Sequence, residues 1–112
     1  MEKRNYERVH FKAEAITEFE GRSIRGEVEN LSMRGMFLRV RNLIPVQVPL
    51  TIRVILSGAS SFVSITIHGS AVRKDAEGVG IEFSGMDLDS FILLKNIVEQ
   101  NLTNPQGTLA PL

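Results

Sequence analysis

The chain contains no cysteine. That excludes a disulfide scaffold, a thiolate zinc site and a cysteine nucleophile. Its only histidines are His10 and His68, too few for most histidine-based metal sites, so no metal or cofactor is expected. No run approaches the eighteen or so apolar residues that a membrane-spanning helix needs, and membrane insertion is not expected. The first residues, MEKRNYERVHFK, lack the apolar stretch of a secretory signal. A soluble, cytoplasmic protein is the expectation. There is no tryptophan and one tyrosine, a poor supply of stacking platforms for single-stranded nucleic acid. Phe11, Phe19 and Phe83 fall in inward registers, which weakens that reading further. Lys and Arg total 13 and Asp and Glu total 13, so the basic excess of a DNA- or RNA-binding domain is missing. There is no phosphate loop ending in Lys-Ser/Thr, no HExxH, and neither histidine sits in a nucleophile arrangement. The chain is not expected to be an enzyme.

What is present is enough for one domain. The chain has 112 residues, 43% of them hydrophobic, and that length buries a core. The charge is unevenly placed. Residues 1–74 carry a net of +5 and residues 75–112 a net of −5. Such asymmetry fits an anion site in the first part, or two solvated faces that attract each other.

Alternation of apolar and polar residues marks strands. Val9, Phe11, Ala13, Ala15 and Phe19 oppose His10, Lys12, Glu14 and Glu18, and Gly21 ends the run. Ile24, Gly26 and Val28 then oppose Arg25, Glu27 and Glu29. Asn30-Leu31-Ser32-Met33-Arg34-Gly35 breaks the pattern, and Met36, Leu38 and Val40 restart it. Val46, Val48, Leu50, Ile52, Val54 and Leu56 form a long fourth run, with Pro49 pointing to an edge or a bulge. Residues 57–61, SGASS, read as a turn. Val63, Ile65, Ile67 and Ala71 make a fifth strand with a bend at Gly69. Asp75-Ala76-Glu77-Gly78 is another turn, and Val79, Ile81 and Phe83 make a sixth strand.

Six short strands divided by turns predict an all-β fold, a closed or nearly closed six-stranded antiparallel β-barrel. The period then lengthens. Leu88, Phe91, Leu94 and Val98, with Ile92, Leu93 and Ile97, predict a C-terminal α-helix over 87–102, capped by Asp87 or Asp89. Its wide apolar stripe either covers an open end of the barrel or packs on a second copy or another protein. Residues 1–102 are expected to form the domain and residues 103–112 a disordered tail.

Two short patterns carry chemistry. Arg4 and Arg8 stand four apart ahead of the first strand. In a helical turn or an extended segment both guanidiniums reach one side. They suit phosphate or the O6/N7 edge of guanine, or they pair with Glu2 and Glu7 in a solvated arm. Asn30 and Ser32, two apart at a strand end, face one way in an extended chain. They offer an amide and a hydroxyl, and Gly35 permits a sharp turn or a close approach. The alternative is an ordinary turn held by side-chain-to-backbone bonds. Asn30-Leu31-Ser32 and Asn101-Leu102-Thr103 also match the N-glycosylation pattern, by chance where no secretory signal accompanies them.

Taken in order, RxxxR at 4–8, NxSxxG at 30–35, a Gly-Ile-Glu-Phe strand at 80–83 and a terminal helix resemble the PilZ domain, over about residues 3–102. PilZ domains are small six-stranded β-barrels of bacteria, and many are receptors for the second messenger cyclic di-GMP. The resemblance implies that Arg4 and Arg8 wrap this ligand, contacting phosphates and guanine, with one of them stacked on a base. It implies that Asn30 and Ser32 hydrogen-bond a guanine edge or nearby ligand oxygens, and that Gly35 leaves room for backbone and ligand. Two positions depart from a common form of the family. Lys3 stands where another arginine is often seen, and Arg34 where glycine is often seen. Lysine lacks the planar bidentate contact, which leaves one ligand molecule or a stacked pair open. Arg34 supplies an extra phosphate contact or faces water. The partners implied are cyclic di-GMP, a downstream protein and a second copy through the C-terminal helix. The alternative is a PilZ-like protein-interaction module, such as a motility or pilus adaptor, that does not bind the nucleotide.

Overall fold

A computed structural model of the chain describes residues 7–41, 44–57 and 62–103. It contains strands β1 (Val9–Phe19), β2 (Arg22–Leu31), β3 (Gly35–Arg39), β4 (Leu50–Ser57), β5 (Phe62–Lys74) and β6 (Gly78–Met86), then helix α1 (Leu88–Thr103). The strand order β1-β2-β3-β6-β5-β4 closes into a barrel, β4 pairing back onto β1, and every strand pair is antiparallel. Closure gives every strand a partner on both sides among the described residues.

The alternation decides which residues fill the barrel. Ala15, Val28, Leu38, Ile52, Ile67 and Ile81 are among the buried inward residues. Thr17 also lies inside, fully buried. β2 departs from simple alternation in a way that shapes the outer surface. Its pairing with β3 runs Val28↔Leu38, then Asn30↔Phe37 and Leu31↔Met36, so Glu29 is an inserted residue. The insertion reverses the parity of the strand end. Leu31 turns into the core, and Asn30, which strict alternation would place beside Val28, turns out.

Two readings from the sequence need correction. The fourth strand begins at Leu50, not Val46. Gln47 has a positive φ of 65°, and Pro49 offers no amide hydrogen to a ladder. Val46 makes only a single parallel bridge to Ala71, with Gln47 N donating to Ala71 O at 2.9 Å. The helix stripe is also narrower than the apolar residues propose. Ser90, Leu94, Ile97, Val98 and Asn101 are buried, whereas Leu88 is 70% exposed and Phe91 and Ile92 are also exposed. At 100° per residue, position 92 lies roughly opposite 94 and 101, and position 88 lies about 120–140° round from them.

The helix packs on β5 and β1, which are not neighbours in the sheet, so it lies across an open barrel end. Ser90 pins its start: Ser90 Oγ accepts from Thr66 N at 3.1 Å, and Ser90 N donates to the capping Asp87 Oδ2 at 3.3 Å. A hydrogen bond with the Ser90 side chain first, and the backbone bond from Ser90 after it, hold the Asp87 carboxyl below its ordinary pKa, desolvation acting the other way. Gly69 does mark a bend, since the β5–β6 register shifts between His68 and Gly69. Of the SGASS turn expected at 57–61, Ser57 ends β4 and residues 58–61 lie outside the described residues. Thr103 closes the helix, and the rest of the expected tail, 104–112, is also outside them. No helix among the described residues is long and apolar enough to cross a membrane.

Candidate functional site

Arg4 and Lys3 lie outside the described residues. The other expected site residues gather on the outer face of β3, β6 and β5. Arg8 precedes β1, and its Nη1 donates to Asn30 Oδ1 at 2.8 Å. The β2 insertion is what allows this contact, because it turns the Asn30 amide outward. The guanidinium reaches across to Gly35: a Cβ built there would stand 3.7 Å from Arg8 Nη2.

Ser32 sits in the turn between β2 and β3, beyond the strand end, so it does not share a strand face with Asn30. It is 3% exposed. Its Oγ accepts from Arg34 N and Gly35 N, each at 3.1 Å, and donates to Gly35 O at 3.3 Å. The backbone adds Ser32 N to Gly35 O at 2.8 Å, and Phe83 N to Arg34 O at 2.9 Å. The hydroxyl therefore builds the turn that carries Arg34. Gly35 has a similar constraint. A Cβ there would fall inside van der Waals distance of the Ile81 carbonyl oxygen on the paired strand, so the glycine is dictated by the β3–β6 approach.

Arg8, Ser32, Arg34 and Gly35 line a shallow cleft of about 250 Å³ together with Val72, Arg73, Gly80, Ile81 and Glu82, and Asn30 stands behind it on Arg8. Arg73 is the residue that sequence reasoning missed. A second register shift, between Ala71 and Arg73, turns Arg73 out opposite Gly80. Its Cγ, Cζ and Nε would lie only 3.3–3.4 Å from a Cβ at Gly80, so the side chain rests flat over that glycine. The one signal available in the sequence was a glycine on the outward register of the sixth strand, beside an arginine-bearing fifth strand.

The charges in the cleft are unevenly matched. Elsewhere on the barrel, Arg25 pairs with Glu14 at 2.9 Å, Arg53 with Glu18 at 3.3 Å, and Arg39 with Glu29. Among the described residues Arg8 and Arg73 make no ion pair. Partial burial, and then the charge of Arg73, push the Arg8 pKa below the ordinary arginine value. A guanidinium nonetheless stays protonated at neutral pH. Two like charges held together over two bare glycines form a surface suited to an anion with flat, close-approaching groups. Among the described residues no three His, Cys, Asp or Glu are grouped as metal ligands.

No curated protein matches the chain. Among solved structures, the chain is similar to the Bacillus subtilis inhibitor of motility MotI/DgrA, with a TM-score of 0.73 at 17% identity. That match covers 93% of this chain and 53% of the other, so the chain spans about half the length of that protein. The PilZ domain of YcgR from Escherichia coli, solved with c-di-GMP, matches with a TM-score of 0.66 at 16% identity, covering 92% of this chain and 94% of that one. PlzA of Borreliella burgdorferi, solved in complex with c-di-GMP, matches with a TM-score of 0.59 at 18% identity, covering 81% and 39%. At such identities these likenesses establish the fold. The PilZ domain model matches residues 2–100. With the barrel, its order of strands and the closing helix already in place, the chain belongs to the PilZ domain family.

Proposed function

We propose that this domain is a receptor for cyclic di-GMP that signals by changing the surface it presents to a downstream protein. The observation that carries the reading is the unneutralised Arg8–Arg73 pair above Gly35 and Gly80. A cyclic dinucleotide brings two phosphates and two flat bases, which suit two guanidiniums over a floor without side chains. Charge-assisted hydrogen bonds to phosphate supply the strong terms. Guanidinium stacking on a purine adds to them. Asn30 orients Arg8, and Ser32 and Gly35 shape the turn that places Arg34 at the rim. Arg4 and Lys3 contribute further cationic contacts from the segment before Arg8. The response is a shift of population, not a reaction, in keeping with a family of generally non-catalytic receptor domains.

Titration calorimetry with cyclic di-GMP, GTP as control and Arg8→Ala alongside tests this. Selective heat that Arg8→Ala weakens by about tenfold or more supports the receptor. No heat at tens of micromolar protein, with an unshifted Tm, overturns it.

A second reading rests on a different observation. Leu88, Phe91 and Ile92 stay exposed on α1. Leu88 and Phe91 also border a groove of about 590 Å³ that includes Met33, Phe83 and Met86. A protein-interaction module would use that face, with a downstream protein or a second copy as occupant. Arg34 lies on both the groove and the cleft, so under the receptor reading the ligand acts on a residue that the partner also touches.

A further inference from the structure

Glu82 is a carboxylate on the wall of an arginine-lined cleft, yet it makes no ion pair or hydrogen bond among the described residues. It points outward from β6, paired with Gly35 on one side and Ser70 on the other. Gly35 has no side chain, so nothing from that position screens the carboxylate. The Arg8 guanidinium approaches the same glycine. One bare position is thus flanked by a cationic donor and an anionic acceptor.

Guanine is complementary to that arrangement. Its O6 and N7 accept from an arginine fork. Its N1–H and N2–H2 present two neighbouring donors, which a carboxylate with two acceptor oxygens takes together. Adenine fits badly. It offers an amino donor where guanine has O6, and an unprotonated N1 that would face the carboxylate, lone pair against lone pair. A carboxylate beside phosphate-binding arginines also lowers affinity for any anion. Its presence is therefore a cost to binding in general and a gain only for a base that donates to it, which is how specificity is built against a near-isostere.

Resting on the receptor reading above, we infer that Glu82 selects guanine, accepting from the N1–H/N2–H2 edge of a base whose O6/N7 edge faces Arg8. Glu82 is thereby a specificity-determining residue of the cleft, distinct from the arginines that hold the phosphates.

The test is a set of titrations of the wild-type chain, Glu82→Gln and Glu82→Asp with cyclic di-GMP and with cyclic di-AMP. Unliganded melting curves establish that all three fold alike, as the exposed position allows. Glu82→Gln is expected to weaken cyclic di-GMP by about tenfold or more. It should leave cyclic di-AMP unchanged or bound more tightly, because a charge repelling the phosphates is gone. Glu82→Asp keeps the charge but shortens the reach, so cyclic di-GMP should weaken with no gain for cyclic di-AMP. Equal tightening of both dinucleotides by Glu82→Gln overturns the inference and leaves the receptor reading intact, since Glu82 is then only a repelling surface charge. A wild-type chain that binds neither dinucleotide overturns both.

Discussion

Replacing Ser32 with alanine separates a structural role from a ligand contact. The Ser32 hydroxyl bridges three backbone groups of the β2–β3 turn within 3.1–3.3 Å. Alanine removes all three bonds at once. The Arg34 amide is only part-buried, so water can replace the lost acceptor. The Gly35 amide is buried and loses its side-chain acceptor. A buried donor left unsatisfied costs about 1–3 kcal/mol. For a domain of about 100 residues that is about 5–20 °C in Tm. The assay is thermal unfolding of the unliganded chain, followed by far-ultraviolet circular dichroism, with urea denaturation to obtain the free energy. Any loss of cyclic di-GMP affinity should accompany the loss of stability, because the same turn sets Arg34. A Tm within about 1 °C of wild type, with weakened ligand binding, would refute the reasoning and make Ser32 a ligand contact alone.

The two glycines of the cleft floor should behave oppositely. Gly35→Ala forces a methyl onto the Ile81 carbonyl, a backbone atom held in the ladder, and should cost about 1–3 kcal/mol in urea unfolding. Gly80→Ala meets only the Arg73 side chain at 3.3–3.4 Å, which can swing aside, so stability should stay within about 0.5 kcal/mol while dinucleotide affinity falls. Ile67→Ala empties a fully buried site in the barrel and should cost about 2–5 kcal/mol, read from the same denaturation curves. Asp87 has a depressed pKa in the folded chain, so its contribution is complete above its unfolded value, about 3.9, and is lost as pH falls through the folded one. The Tm advantage of wild type over Asp87→Asn should therefore shrink below about pH 4, and an advantage that persists at pH 2 would rule out the cap as its source.

The barrel was legible because alternation carries the information directly. A strand with Val9, Phe11, Ala15 and Phe19 on one side has a single way to hide them, and six such strands must close or pack. The helix was equally plain from its change of period. Misreadings arose where local geometry overrode pattern. Val46 and Val48 continue the alternation of the fourth strand, but a left-handed Gln47 and Pro49 keep them out of the ladder. Leu88 and Phe91 are apolar at helical spacing, yet it is Leu94, Ile97 and Val98, with Leu93 and Leu102 beside them, that pack into the core.

Residue type and spacing alone determined most of the strands, the helix, the lack of any thiol, and the presence of the RxxxR and NxSxxG patterns. Tertiary structure decided how those patterns meet. A single inserted residue, Glu29, reverses the parity of β2 and delivers Asn30 to Arg8. A second irregularity in β5 delivers Arg73 to the same cleft from far along the chain. The register of a strand depends on which residues of its neighbour it pairs with, a long-range choice that no local window of sequence contains. The cleft is therefore made of residues that pattern can name but only pairing can bring together.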